Sequence, residues 1–167
     1  TFLERDFSNP LENPWLKERL QFHAKLVREA ETFTYLGRKG WVAPFSIGFD
    51  GPVTAVATLF GADGMAILAA EPEKARRLLE KIVDDVLIRN RVLADRHEGW
   101  KKVDEGGTAD DSIQLISSEM YRELVLPVHA RWFEATTTPI AAGGRRSIHL
   151  CGDATRHFPV IHKELSV

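Results

Sequence analysis

Long amphipathic stretches separated by short apolar runs limit most strongly what this chain folds into. Apolar residues recur at Leu16, Leu20, Leu26, Val27, Ala30 and Phe33, a stripe that predicts a helix from 15 to about 36, ended by Gly37 and Gly40. In the run from 42 to 49, Phe45, Ile47 and Phe49 alternate with Ser46, Gly48 and Asp50, the period of a strand ending in a polar turn. Gly51-Pro52 then opens a short helix over 54–60, with Pro where a first helical turn accepts it, and Gly61-Ala62-Asp63-Gly64 reads as a turn. The clearest helix is predicted over 72–97, where Ala75, Leu78, Leu79, Ile82, Val83, Val86 and Leu93 share one side.

Beyond it come a strand lead-in at 100–104 and a Gly-rich acidic segment, Gly106-Gly107-Thr108-Ala109-Asp110-Asp111. A helix is predicted from near Ser117, kinked at Pro127, then a small-residue loop over 136–144. A strand follows with Ser147-Ile148-His149-Leu150-Cys151, and a last helix capped by Thr155 closes the order. Alternation of this kind implies parallel strands joined by helical crossovers, hence an α/β fold, either a doubly wound sheet or a β/α barrel. The expectation is a single domain over 1–167, with an N-terminal helical segment over 1–41 and a core over 42–167. Three legible strands cannot close a barrel, and both ends read as cut, since residue 1 is Thr and the chain stops just after a helical pattern. The chain therefore reads as part of a larger fold, with open sheet edges that favour self-association.

Composition removes several classes of function. A net charge of -2 and a pI near 6.3, with cations scattered among acids, give nothing that attracts nucleic acid. No apolar run is expected to reach the roughly 20 residues of a membrane helix, and no signal-peptide layout opens the chain, so a cytoplasmic protein is expected. A single cysteine makes no internal disulfide, in agreement with a reducing compartment.

That cysteine lies two residues after a histidine. Residues two apart on a strand face the same way, so His149 and Cys151 can present nitrogen and sulfur to one point while Ile148 and Leu150 pack behind them. Zinc accepts such donors, and a catalytic site needs three protein ligands and an open position. Spacing alone favours a plainer reading, a buried thiol and a hydrogen-bonded imidazole. Asp50, Asp110-Asp111 and Asp153 each follow a predicted strand, where carboxylates converge if the fold is a barrel, or else cap turns and helices. His129 is expected to pack or hydrogen-bond after the Pro127 kink, and His157 and His162, five apart, to lie on the surface. Neither a phosphate loop nor a serine-triad pattern occurs.

Three blocks resemble the uroporphyrinogen decarboxylase superfamily, a (β/α)8 TIM barrel that includes corrinoid-dependent methyltransferases. They are Pro44-Phe45-Ser46-Ile47-Gly48-Phe49-Asp50-Gly51-Pro52-Val53-Thr54, then Asp110-Asp111 through Ile116-Ser117-Ser118-Glu119-Met120-Tyr121 to Val125-Leu126-Pro127, and Ile148-His149-Leu150-Cys151-Gly152-Asp153. The resemblance extends from about residue 42 to the end and implies the central portion of such a barrel. Within it, the decarboxylase branch, which serves porphyrin synthesis, carries a tyrosine where this chain has Thr58 and a serine where it has Asp111, and both departures weigh against decarboxylation. The methyltransferase branch carries a His-x-Cys pair and a downstream cysteine that together bind zinc. The resemblance thus implies His149 and Cys151 as metal ligands, with the third ligand outside this chain. It further implies Asp110 and Asp111 as catalytic groups, with one of them also able to orient His149, and Asp50, Thr58 and Tyr121 as substrate-binding residues. Zinc and a corrinoid (cobalamin) carried by a partner protein are the implied cofactors, and a thiol or related small molecule the methyl acceptor. A non-catalytic piece of such a barrel is the third expectation.

Overall fold

A computed structural model describes residues 1–167, which form two compact units. The first comprises Thr1–Arg5, Gly48–Leu87 and Lys101–Val167, and the second Asp6–Ile47 and Ile88–Trp100. The fold is α/β, with a small parallel sheet.

In the first unit, helix α2 (Pro52–Ala70) is followed by α3 (Pro72–Ala94), whose residues from Ile88 onward belong to the second unit. Strand β3 (Glu105–Ala109) leads through a 3-10 turn (Asp111–Leu115), a short α4 (Ser118–Met120), a π-helical segment (Tyr121–Val125) and α5 (Leu126–Thr136). The chain then returns as β4 (Arg145–His149) and ends in α6 (Phe158–Leu165). The two strands pair in parallel from Glu105↔Arg145 to Ala109↔His149, so helices cross between them as the alternation required. Ala75, Leu78, Leu79, Ile82, Val83 and Leu87 of α3 enter one core with Val53, Val56 and Leu68 of α2 and Val128 and Phe133 of α5. Each helix buries one stripe, which is what its apolar period encodes.

Local signals place several boundaries. The Ser117 hydroxyl accepts the Met120 amide at 3.1 Å and so caps α4. Pro127 has no N–H to donate, and the chain before it widens into the π turn where a kink was expected. Pro52 stands in the first turn of α2, behind Gly51 at φ 87°.

Three expectations change, and one is met. Residues 41–51 are not a strand: Phe45, Ile47 and Phe49 are half-buried and alternate with exposed neighbours, but no strand pairs with them. The Gly-rich segment is itself the strand β3, because a Cβ at Gly106 would overlap the Thr137 side chain, a close approach that glycine permits. The helix opened by Gly51-Pro52 breaks at Gly61, the first residue of the expected turn, whose angles (φ 56°, ψ -136°) are not helical, and a second helical piece follows directly, so α2 is two helices joined across a kink, 19 residues in all. Counted across that kink, α2, with a mean hydropathy of 1.7, is long and apolar enough by length and composition to cross a membrane, although Val53, Val56 and Leu68 join the protein core.

In the second unit, α1 (Pro14–Thr32) is capped by Asn13, whose side chain accepts from the Leu16 amide at 3.2 Å. It stops at Thr32 because the chain turns into a hairpin, β1 (Thr34–Tyr35) and β2 (Arg38–Lys39), around Leu36 and Gly37 at φ 49° and 75°. Its apolar stripe is mostly open: Leu16 is buried, while Phe22 and Phe33 are exposed.

Gly51 supplies the first prediction. A side chain there would meet the Ala109 carbonyl and the Asp110 carboxylate at a φ that L-residues disfavour. Gly51→Ala should lower the free energy of unfolding by about 2–4 kcal/mol in urea titrations.

Candidate functional site

Past the end of β3, where Asp110 (φ -162°, ψ 65°) leaves the strand and Asp111 opens the 3-10 turn, two adjacent acids part company. Asp110 turns inward and is fully buried, whereas Asp111 is half-buried.

Four donors converge on Asp110. Its Oδ1 accepts from the Thr54 amide at 2.8 Å and the Thr54 hydroxyl at 3.0 Å. Its Oδ2 accepts from the Val53 amide at 3.2 Å and from His129 Nε2 at 3.0 Å. The amides belong to the first turn of α2, where helical N–H groups have no partner within the helix and the helix dipole favours an acceptor. A carboxylate only accepts, so Nε2 of His129 carries the proton it shares, and Nδ1 accepts from the Tyr121 hydroxyl at 3.0 Å. Burial, and after it the nearby Asp110 carboxylate, push the Tyr121 phenol well above its ordinary pKa, so it serves as a donor. Thr54 is used twice, since its hydroxyl also accepts from the Ser112 amide at 3.0 Å.

The exposed side of the same strand ends holds the other cluster. Ligand atoms of Asp111, His149 and Cys151 all lie within 4.8 Å of one another. His149 Nε2 is 3.0 Å from Cys151 Sγ, and the Cys151 amide donates to Asp111 Oδ1 at 2.6 Å. Cys151 lies beyond the last strand residue, and Gly152, at φ 96°, lets the loop press against the Gln114 side chain. The Asp111 carboxylate beside the thiol raises the pKa of Cys151, first through its charge. Zinc bonds of about 2.0–2.3 Å in tetrahedral geometry put ligand atoms roughly 3.4–3.8 Å apart. The His149 and Cys151 donors meet that requirement in chemistry, and at 3.0 Å they have to move apart by about half an ångström to share one metal.

The remaining expected residues are dispersed. Asp50 and Thr58 are both exposed, Thr58 on α2, while Tyr121 is fully buried with its hydroxyl on His129. Asp153 caps the next turn, accepting from the Thr155 amide at 3.1 Å and the Thr155 hydroxyl at 2.7 Å. His157 is not on the surface: it is fully buried, sits 4.9 Å from the Tyr121 ring and bonds the Ile113 carbonyl through Nε2 at 2.9 Å. Burial lowers its pKa, since charging the ring there loses hydration. His162 is exposed, as expected. Sequence reasoning left Thr54 without a role. Its place in the first turn after Gly51-Pro52, where a helix needs an acceptor, is the signal that pointed to it.

No family model matches the chain, and no solved structure matches it. Over 111 residues it is 29% identical to a methylated-thiol--coenzyme M methyltransferase of Methanosarcina mazei, a match that covers 66% of this chain and 28% of that protein. The chain thus spans under a third of that relative's length, and the likeness supports a relation to methyltransferases.

Cys151 yields a test of the electrostatics. In metal-free protein its iodoacetamide alkylation, followed against pH, should have a midpoint above that of an ordinary thiol, because the neighbouring carboxylate disfavours the thiolate. Asp111→Asn should move that midpoint to lower pH, and an unchanged profile would contradict the assignment.

Proposed function

We propose that this chain is part of a zinc-dependent methyltransferase of the uroporphyrinogen decarboxylase superfamily, which passes a methyl group from a corrinoid-carrying partner to a small thiol. The observation that carries the reading is the meeting of His149 and Cys151 at a parallel strand end, in a chain similar to a methylated-thiol--coenzyme M methyltransferase. On this reading β3 and β4 are two neighbouring strands of a β/α barrel, whose chemistry belongs at the carboxyl ends of its strands. The protein acts in the cytoplasm, and the exposed edges of the two-stranded sheet are covered by the rest of the barrel or by association of chains.

The roles of the residues follow from their positions. His149 and Cys151 hold the metal, and both are exposed, so an acceptor reaches them without local opening. Bound zinc supplies a Lewis acid that lets a coordinated thiol lose its proton near neutral pH. The Asp111 carboxylate fixes the Cys151 backbone through its amide, which orients the sulfur toward the site. Asp110, through α2 and His129, holds the strand end on which Asp111 stands. The barrel mouth keeps acceptor and donor aligned, a proximity effect worth on the order of 7 kcal/mol or more in favourable cases.

Metal analysis of the intact protein, paired with a methylcobalamin demethylation assay using a simple thiol as acceptor, tests this. Stoichiometric zinc and thiol-dependent demethylation are expected, both lost in Cys151→Ser. Absence of zinc, or zinc and turnover untouched by that substitution, would refute it.

A further inference from the structure

The parallel register of β3 and β4 carries further than the sheet itself. Ala109 is level with His149, and the ladder continues one step as the Asp110 amide donates to the His149 carbonyl at 3.2 Å. Two residues past the last pair on each strand stand Asp111, the first residue of the 3-10 turn, and Cys151, in the loop after β4. Strand pairing brings the two ends level, and the 2.6 Å bond from the Cys151 amide to Asp111 Oδ1 holds the two residues together.

We propose that Asp111 is itself a metal ligand, so that one nitrogen, one sulfur and one oxygen of this chain close on a single divalent ion. The proposal depends on the metal-binding reading of His149 and Cys151 and goes beyond it in adding an oxygen donor from this chain to their nitrogen and sulfur. All three ligand atoms lie within 4.8 Å of one another, close enough for small adjustments to bring them onto a common centre. A thiolate and a carboxylate together neutralise a divalent charge, with imidazole as the neutral donor. The sulfur and nitrogen donors disfavour magnesium and calcium, which take oxygen, and suit zinc or cobalt(II). The cluster is half-buried to exposed, so a small ligand reaches it from solvent.

Asp111→Asn separates ligation from support, because the amide oxygen of Asn still accepts from the Cys151 N–H while its neutral group binds metal poorly. Zinc affinity of the intact protein, measured by competition with a chromophoric chelator, should fall by about 10–100-fold or more in this variant. The metal-free unfolding midpoint should stay near wild type. His149→Ala and Cys151→Ser should weaken zinc at least as much. As a second reading, cobalt(II) substituted into wild type should show a sulfur-to-cobalt charge-transfer band and visible ligand-field bands, and Asp111→Glu should shift the latter. Zinc affinity in Asp111→Asn within about twofold of wild type, and ligand-field bands unmoved in Asp111→Glu, overturn the proposal while leaving His149 and Cys151 as ligands. Zinc binding insensitive to His149→Ala and Cys151→Ser overturns the metal-binding reading itself.

Discussion

The buried carboxylate of Asp110 joins the end of β3 to the first turn of α2 and, through His129, to α5. Every polar atom there has to find a partner inside the protein, because an unsatisfied buried donor or acceptor costs about as much as several ordinary contacts contribute. The two free amides at the start of α2, the Thr54 hydroxyl and the His129 ring all meet that need on one side chain. Gly51 allows the approach, since any side chain would stand where the Ala109 carbonyl and Asp110 lie. The position of the strand end, and with it of the exposed cluster next door, depends on this junction.

From it follows a division of labour between neighbours in sequence. Asp110 serves the architecture and Asp111 faces the candidate site, the two separated where the chain leaves β3 and enters the 3-10 turn. Along β4 and the residues just past it, Ile148 and Leu150 lie against the core while His149 and Cys151 stay exposed. Parallel register and the turns that follow it bring nitrogen, sulfur and oxygen together, and the likeness to a methyltransferase gives that cluster a chemical context.

Legibility of the fold in the sequence tracked how local each determinant is. The stripe of α3 after Pro72, the Ser117 cap and the Pro127 disruption are encoded within a turn or two, and each is found where the residues indicate. Strand β3 has no apolar period to read. Gly106 is specified by Thr137, thirty-one positions away, which only the folded chain brings near. The run over 42–49 has a strand's alternation without a partner, and alternation reports burial on one side, not hydrogen bonding. In the site, the His149–Cys151 pair is visible from the spacing of two and the adjacent acids from their place after a predicted strand, but that Asp111 meets Cys151 while Asp110 is buried is set only in the folded chain. His129 reaches Asp110 across nineteen residues and through a π turn, a path that no local pattern records.

Equilibrium urea unfolding of Asp110→Ala beside Asp111→Ala tests the central claim most directly, because it asks which acid carries the fold. Removing Asp110 should cost about 3–5 kcal/mol, the usual consequence of leaving buried partners unpaired, while removing Asp111 should cost about 1 kcal/mol or less. Equal losses for the two variants, or a larger loss at Asp111, would contradict the account.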